Sequence, residues 1–302
     1  MSELEISVII PTYRRRELLL ECIASCVGNS RKPFEILIGD DSDEDIRAVI
    51  AAKFSDVPFP IIYLQNKPPL GQADNVDNLI RRASGTHICL IHDDDYLTQT
   101  ALDVLARPFL EYGEELLISF GRQQLVDSAG SLDREGTEEL NAAYRRTPEH
   151  AGLQPSMLKS AILQQIPNNG FLINAAMAKA VGYRQAGLQF KDGCDFGFSY
   201  LAAKRFPDRK AYFDPSFTTA YRLSDMSIAR GKRNNNAAFY AFHNVIRDYP
   251  DPADADLRQW IRKNARKALS YAIKNARFDA IINWLTASGF VRRAVFTALV
   301  RG

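Results

Sequence analysis

Four short runs rich in β-branched and aliphatic residues, "EISVIIPTY", "FEILIGDD", "PIIYLQN" and "HICLIHDDD", recur within the first 95 residues. The first is apolar without alternation, the mark of a strand buried on both faces, and the others read as further strands. Helical segments stand between them. "RRELLLECIASCVGNS" puts Leu19, Ile23 and Val27 on one stripe with Leu18, Cys22 and Cys26 beside it. "NVDNLIRRASG" carries Val76, Leu79, Ile80 and Ala83 and closes at Gly85. Strands alternating with helices predict a doubly wound, mostly parallel sheet, and 302 residues suffice for one large α/β domain or one domain with an appendage.

The second half is less regular. "TALDVLARPFLEY" reads as a helix, "LLISFGRQQLVD" as a strand and residues 128–150 as polar loop. "PSMLKSAIL", "INAAMAKAVGY" and "CDFGFSYLAAKRF" read as helices, and "KAYFDPSFTTAYRL" as a late strand. From Ala255, the residues Leu257, Trp260, Ile261, Ala265, Leu269 and Ile273 recur at helical spacing.

Open parallel α/β sheets bind ligands outside the carboxyl ends of their strands. Here those ends carry "PTYRR", "GDDSDED" and "HDDDY". Three adjacent carboxylates, Asp93, Asp94 and Asp95, repel one another and call for a positive partner; the plain alternative is a solvated turn. Familiar nucleotide-binding patterns are missing. No GxGxxG follows the first strand and no GxxxxGK[ST] occurs anywhere, which removes the dinucleotide and P-loop readings. The Asp-x-Asp-x-Thr/Val of an aspartyl-phosphate phosphatase fails at Leu97.

"VIIPTYRRRELLLECIAS", "FEILIGDDSDED" and "NKPPLGQADNVDNLIRRASGTHICLIHDDDYL" together resemble the family 2 glycosyltransferases, with the similarity running in family order from about Ile6 to Arg230. Arg14 stands where the family has Asn, and Ser42 where it has Gly. The resemblance implies the GT-A fold and an inverting glycosyltransferase that draws on a nucleotide-diphosphate sugar, with a role in bacterial-type surface polysaccharide biosynthesis. It implies a nucleotide-sugar-binding half at 1–127, an acceptor-binding half carrying the base at 128–254 and a helical extension at 255–302. Asp95, last of the Asp-x-Asp, becomes the ligand of Mn²⁺ or Mg²⁺, a hard cation that takes oxygen donors. Asp93 assists through water, and Asp94 faces the ribose. Pro11, Thr12 and Tyr13 border the donor, Tyr13 offering a ring to the base. Asp41 accepts the imide N–H of the base, which favours UDP- or dTDP-sugars, whereas Asp40 can instead cap the following turn. "FKDGCDFGFSYLAAKR" matches the segment of the catalytic carboxylate, with Lys191 in place of Glu, so Asp192 takes the general-base position and Asp195 that of a helix N-terminal charge. Arg222, Arg230 or Lys232 are candidates for the leaving group. His92 and Cys194 are read as packing residues.

Two rivals stay open. A non-catalytic sugar-nucleotide-binding subunit of a glycan-assembly complex would keep Asp41 and Asp95 without a working base. A sugar-phosphate nucleotidyltransferase would want a glycine-rich loop after the first strand, which "PTYRRREL" lacks.

Charge is unevenly spread. Residues 255–302 hold ten Lys and Arg against two Asp, a net of +8, while residues 1–254 carry 28 Lys and Arg against 34 Asp and Glu, a net of −6. The basic tail reads as an amphipathic helix with Trp260, Ile261, Leu269 and Ile273 on its apolar side. Such a helix can lie on an anionic membrane near a lipid-linked acceptor, or pack on the catalytic domain. Cys22, Cys26, Cys89 and Cys194 fit no metal or redox spacing, and free buried thiols suit a reducing compartment. The start shows no signal-peptide pattern and no run spans a bilayer, so a cytoplasmic protein is expected, at most peripheral on the inner face of the membrane. Nucleic acid is not an expected partner.

Overall fold

The computed structural model of the chain describes residues 4–223, 234–287 and 289–300. The four runs form β1 (Ile6–Thr12), β2 (Glu35–Asp40), β3 (Ile61–Gln65) and β4 (His87–Leu90), joined by α1 (Arg16–Val27), α2 (Arg47–Lys53) and α3 (Gln72–Arg82). They pair in parallel in the order β3-β2-β1-β4, with Ile9 opposite both Leu37 and Leu90. β1 is buried on both faces. Ile6, Val8 and Ile10 share a core with Leu19, Ile23 and Cys26 of α1, while Ile9 packs on the other side with Val76 and Leu79 of α3. Gly85 follows α3 without a left-handed cap; a Cβ there would stand 2.7 Å from the Glu5 carbonyl oxygen, so close backbone approach requires the glycine.

The chain continues through β5 (Tyr96–Leu97), α4 (Ala101–Tyr112), β6 (Leu116–Val126), β7 (Leu132–Asp133), α5 (Arg134–Ala143), β8 (Gly152–Leu153) and α6 (Met157–Ile162). Then come β9 (Phe171–Asn174), α7 (Ala175–Val181), α8 (Tyr183–Phe190), α9 (Cys194–Arg205) and β10 (Lys210–Arg222). The sheet extends β4-β9-β6-β10-β5, with β9 antiparallel to both β4 and β6 and with β6 parallel to β10. This is the expected doubly wound, mostly parallel α/β sheet of the GT-A type with flanking helices.

Two segments differ from the sequence reading. Residues 128–150 are not all loop: α5 lies along β6, capped by the Asp133 carboxylate, which accepts from the Gly136 N–H at 2.9 Å. Its inner face is polar. Thr137 Oγ1 accepts from Leu125 N, and the Asn141 amide pairs with both backbone groups of Gln123, so no apolar periodicity announces the helix. Residues 171–174, "FLIN", form β9, so the helix expected from Ile173 opens only at Ala175. Three apolar residues and an asparagine carry no usable period, and strands on both sides supply the hydrogen bonds that decide.

α10 (Asn234–Asp248), α11 (Ala255–Lys274), α12 (Phe278–Thr286) and α13 (Gly289–Val300) share a core around Phe239, Phe242, Ile261, Leu269, Trp284 and Phe290. Trp260 stacks on Phe196 of α9 and on Phe242, joining this bundle to the sheet layer. The tail helix packs in this bundle and against α9. Its apolar face packs inward, with Ile261 and Leu269 buried and Ile273 half exposed. Among the described residues, no helix is long and apolar enough to cross a membrane.

Candidate active site

Strand direction gathers the polar groups. The carboxyl ends of β1, β2, β4, β6 and β10 reach one edge of the sheet, and antiparallel β9 starts at the same edge. A cavity of about 990 Å³ opens there. Pro11, Thr12, Tyr13, Asp41, Asp93, Asp94 and Asp192 all line it, as do Arg15, His92, Asn169 and Asp195. Trp260, Asn264 and Lys267 of α11 close the far side; spacings of four and three residues place them on one stripe.

The three aspartates have their positive partner in Arg15, which sequence reasoning missed. Its Nη1 lies 3.0 Å from Asp93 Oδ1 and 2.8 Å from Asp94 Oδ2. Burial would lower the guanidinium's pKa, but Asp93 and Asp94 outweigh it and hold it above its usual value. Asp93 also accepts from Thr12 Oγ1 at 2.7 Å. Burial pushes the Asp93 carboxyl up, while Thr12 and Arg15 pull it back. The signal was present in "PTYRRREL": a cation directly beyond β1, beside acids directly beyond β4.

Asp95 sits behind the cavity wall, 2% exposed, accepting from Asn169 Nδ2 and the Arg222 N–H, both at 2.8 Å. Burial first, and Asp94 second, raise its carboxyl to about 7. Three carboxylates against one guanidinium leave a formal charge of −2 once all are ionised, a balance suited to one divalent cation. Ligating atoms of His92, Asp94 and Asp95 lie within 4.8 Å of one another, and Asn169 Oδ1 is buried without a partner beside them. His92 Nδ1 lies 3.2 Å from Asn169 Nδ2, an amide donor, which fits the tautomer with the proton on Nε2; Nε2 is buried without a hydrogen-bond partner, with Asp195 Oδ1 3.9 Å away. The oxygen donors therefore fit a hard cation, and the imidazole does not join them in this tautomer.

On the donor side, Asp41 is 5% exposed and accepts from Asn66 Nδ2 at 2.9 Å, Leu70 N at 3.0 Å and Gly71 N at 2.8 Å. Gly71 has φ 80, a left-handed conformation that aims its N–H at the carboxylate. With three of about four acceptor positions filled, one is left for the cavity. Tyr13 is 50% exposed, with the Arg14 guanidinium 4.9 Å from its ring centroid. Asp40 takes its other reading: it accepts from Ser42 N at 2.8 Å and from the Tyr63 hydroxyl at 2.7 Å, shaping the turn.

Asp192 is exposed at the rim and accepts from Asn236 Nδ2 at 3.2 Å. Asp195, in the first turn of α9, is deeper, with 14% of its side chain exposed, and accepts from the Tyr183 hydroxyl. Cys194 is a buried thiol pushed up by burial, a packing residue. Arg222 does not reach the cavity, contrary to expectation. Its guanidinium is consumed by Glu21 at 2.7 Å and by the carbonyls of Asp94 and Ser128 at 3.1 Å each. Arg230 and Lys232 lie outside the described residues.

Residues 7–149 match the profile of the family described as Glycosyl transferase family 2. The chain is 30% identical over 132 residues to the GalNAc(5)-diNAcBac-PP-undecaprenol beta-1,3-glucosyltransferase of Campylobacter jejuni, covering 43% of this chain and 41% of that one. It is 34% identical over 104 residues to the abequosyltransferase RfbV of Salmonella typhimurium, covering 33% and 31%. These matches span less than half the length of either relative. Among solved structures, S. aureus TarS 1–349 in complex with UDP-GlcNAc aligns over 98% of this chain and 80% of its own, with a TM-score of 0.63 and 15% identity, which speaks to fold alone.

Proposed function

From the match of residues 7–149 to the profile of Glycosyl transferase family 2, we propose that this chain moves a sugar from a nucleotide-diphosphate sugar to an acceptor hydroxyl with inversion. The observation that carries the reading is the meeting of Asp41, the Arg15-braced aspartates and the pair Asp192 and Asp195 around one cavity. The base stacks on Tyr13, with Pro11 and Thr12 also lining the cavity, and its N–H meets the open acceptor position of Asp41. Asp94 takes ribose hydroxyls. The TarS structure holds UDP-GlcNAc, which supports a uridine donor. The C. jejuni relative is named for a PP-undecaprenol-linked glycan, which supports a lipid-linked acceptor. Free buried thiols support a cytoplasmic setting.

Asp95 and Asp94, with Asp93 through water, would hold Mn²⁺ or Mg²⁺, which supplies neutralisation of the diphosphate charge when bound. Arg15 keeps Asp93 and Asp94 oriented and adds positive potential at the diphosphate end. The sequence pattern assigns the base to Asp192, whereas depth, the Tyr183 hydrogen bond and the facing His92 favour Asp195. The acceptor proton passes to that carboxylate as the oxygen–carbon bond forms. The bond from the anomeric carbon to the diphosphate breaks, and its electron pair leaves with the nucleotide.

The test is calorimetric titration of UDP, dTDP and GDP with and without Mn²⁺, followed by donor turnover. Cation-dependent binding of UDP or dTDP is expected. Asp195→Asn should lower transfer roughly 10²–10⁴-fold at unchanged donor affinity. If the loss follows Asp192→Asn instead, the base is Asp192. If no nucleotide binds, the donor reading fails; binding without turnover on any acceptor favours a binding subunit.

A further inference from the structure

Arg146 stands just beyond α5 and is 3% exposed, yet it lines the cavity. It donates Nε to the Gln165 carbonyl at 2.7 Å, Nη1 to Gln123 Oε1 at 2.6 Å and Nη2 to the Gln164 carbonyl at 3.0 Å. Those bonds use three of its five N–H groups and leave one on each terminal nitrogen. The other arginine lining this cavity, Arg15, meets the carboxylates of Asp93 and Asp94, and outside the lining Arg222 meets Glu21 and Arg145 meets Asp256. Arg146 has none among the described residues. Burial pushes its guanidinium down to about 10, and only Tyr144 opposes the shift. Neutral oxygens and the Tyr144 ring, 5.1 Å from the guanidinium carbon, are what hold this buried cation, and it lacks a carboxylate counter-charge among the described residues.

The surroundings are built to keep it there. Arg145 forms two 2.9 Å hydrogen bonds to Asp256, and Lys159 reaches Asp254, the N-cap of α11, at 2.7 Å. This clamp fixes α11 across the cavity, where it presents Trp260, Asn264 and the exposed Lys267. Gln123 turns its Oε1 to Arg146, which frees its amide N–H groups. The acids elsewhere in the cavity are engaged: Asp93 and Asp94 by Arg15, Asp195 by Tyr183 and Asp192 by Asn236.

We propose that this end of the cavity is a subsite for an acidic group on the acceptor, a phosphate ester or a carboxylate, held by Arg146 and Lys267 with Tyr144 and Trp260 bordering its sugar or polyol. The word acceptor rests on the glycosyltransferase reading; the anion site does not. A guanidinium with one free N–H on each terminal nitrogen suits two oxygens of one such group.

The test uses the full chain saturated with UDP and Mn²⁺, so that the diphosphate site is filled. sn-Glycerol 3-phosphate and methyl β-glucuronide are titrated against their neutral counterparts, glycerol and methyl β-glucoside. At least one charged probe should bind about 10-fold or more tightly than its counterpart, less so at high salt, and the tighter of the two identifies phosphate or carboxylate. Arg146→Gln should erase the preference, Arg146→Lys should keep part of it, and Lys267→Gln should reduce it about threefold. UDP binding by the same samples reports folding; should Arg146→Gln lose it, Arg146→Lys and Lys267→Gln decide. Equal binding of charged and neutral probes overturns the proposal, as does a preference untouched by these substitutions. Charge preference without any UDP binding would overturn the donor reading and leave the subsite standing.

Discussion

Removing Arg15 should expose how much the aspartate cluster depends on one side chain. In Arg15→Gln the guanidinium that bridges Asp93 at 3.0 Å and Asp94 at 2.8 Å is lost, and the side chains involved are only 21%, 5% and 14% exposed. Breaking a buried pair by deleting one partner costs about 3–5 kcal/mol, because the other charge is left uncompensated. A ceiling applies. Asp93 can take up a proton instead, and from a carboxyl range near 4 that costs about 1.4 kcal/mol per pH unit, or about 4 kcal/mol at pH 7. Partial exposure and the retained Thr12 hydrogen bond trim this further, so a loss of about 2–4 kcal/mol is expected. The assay is urea unfolding at pH 7 without divalent cation, followed by circular dichroism. Asp93→Asn in the Arg15→Gln background should recover at least about 1 kcal/mol, since it removes the charge left behind. Arg16→Gln is the control: its contact to Glu44 at 3.3 Å is exposed and should be worth under about 0.5 kcal/mol. If Arg15→Gln matches that control, or if adding Asp93→Asn destabilises further, then Arg15 is not the counter-charge of the cluster.

Asp95→Asn should abolish cation-dependent binding of UDP, and Asp94→Asn should weaken it less; normal UDP affinity of the Asp95 variant in excess Mn²⁺ would mean the cluster holds no cation. His87, packed edge-on to Phe109 at 4.4 Å, is lowered to about 4 by burial. The native state therefore binds fewer protons than the unfolded chain between pH 4 and 6.5, and stability should fall by about 1–3 kcal/mol as pH drops through that window. His87→Gln should flatten this slope in urea midpoints taken at pH 7 and pH 4.5, and an unchanged slope would assign the acid sensitivity elsewhere.

The first four strands were legible because each is a local statement: a β-branched run can be read without knowing its neighbours, and a sheet built from such runs puts their acidic ends on one edge. Hence the strand-end runs holding Tyr13, Asp41, Asp93 and Asp94 were legible, and the family resemblance singled out these residues, all of which line the cavity. Asp195 was visible as a residue but not as a deep one, since its surroundings come from Tyr183 of α8 and from His92 beyond β4.

Pairings across long separations were decided only by the tertiary structure. β9 is a strand because β4 and β6 flank it, and α5 is a helix whose inward polar groups bond to β6; neither partner can be inferred from a window of ten residues. Arginines posed the same difficulty. Arg15, Arg146 and Arg222 look alike in a sequence, yet one braces carboxylates, one lies buried on neutral oxygens and one is spent on Glu21. Amphipathic spacing in α11 correctly announced an apolar face, but whether a membrane or a protein core covers that face depends on what stands opposite. In this chain Phe239, Phe242 and Trp284 do, and the clamp of Arg145 on Asp256 turns Trp260 and Lys267 toward the cavity.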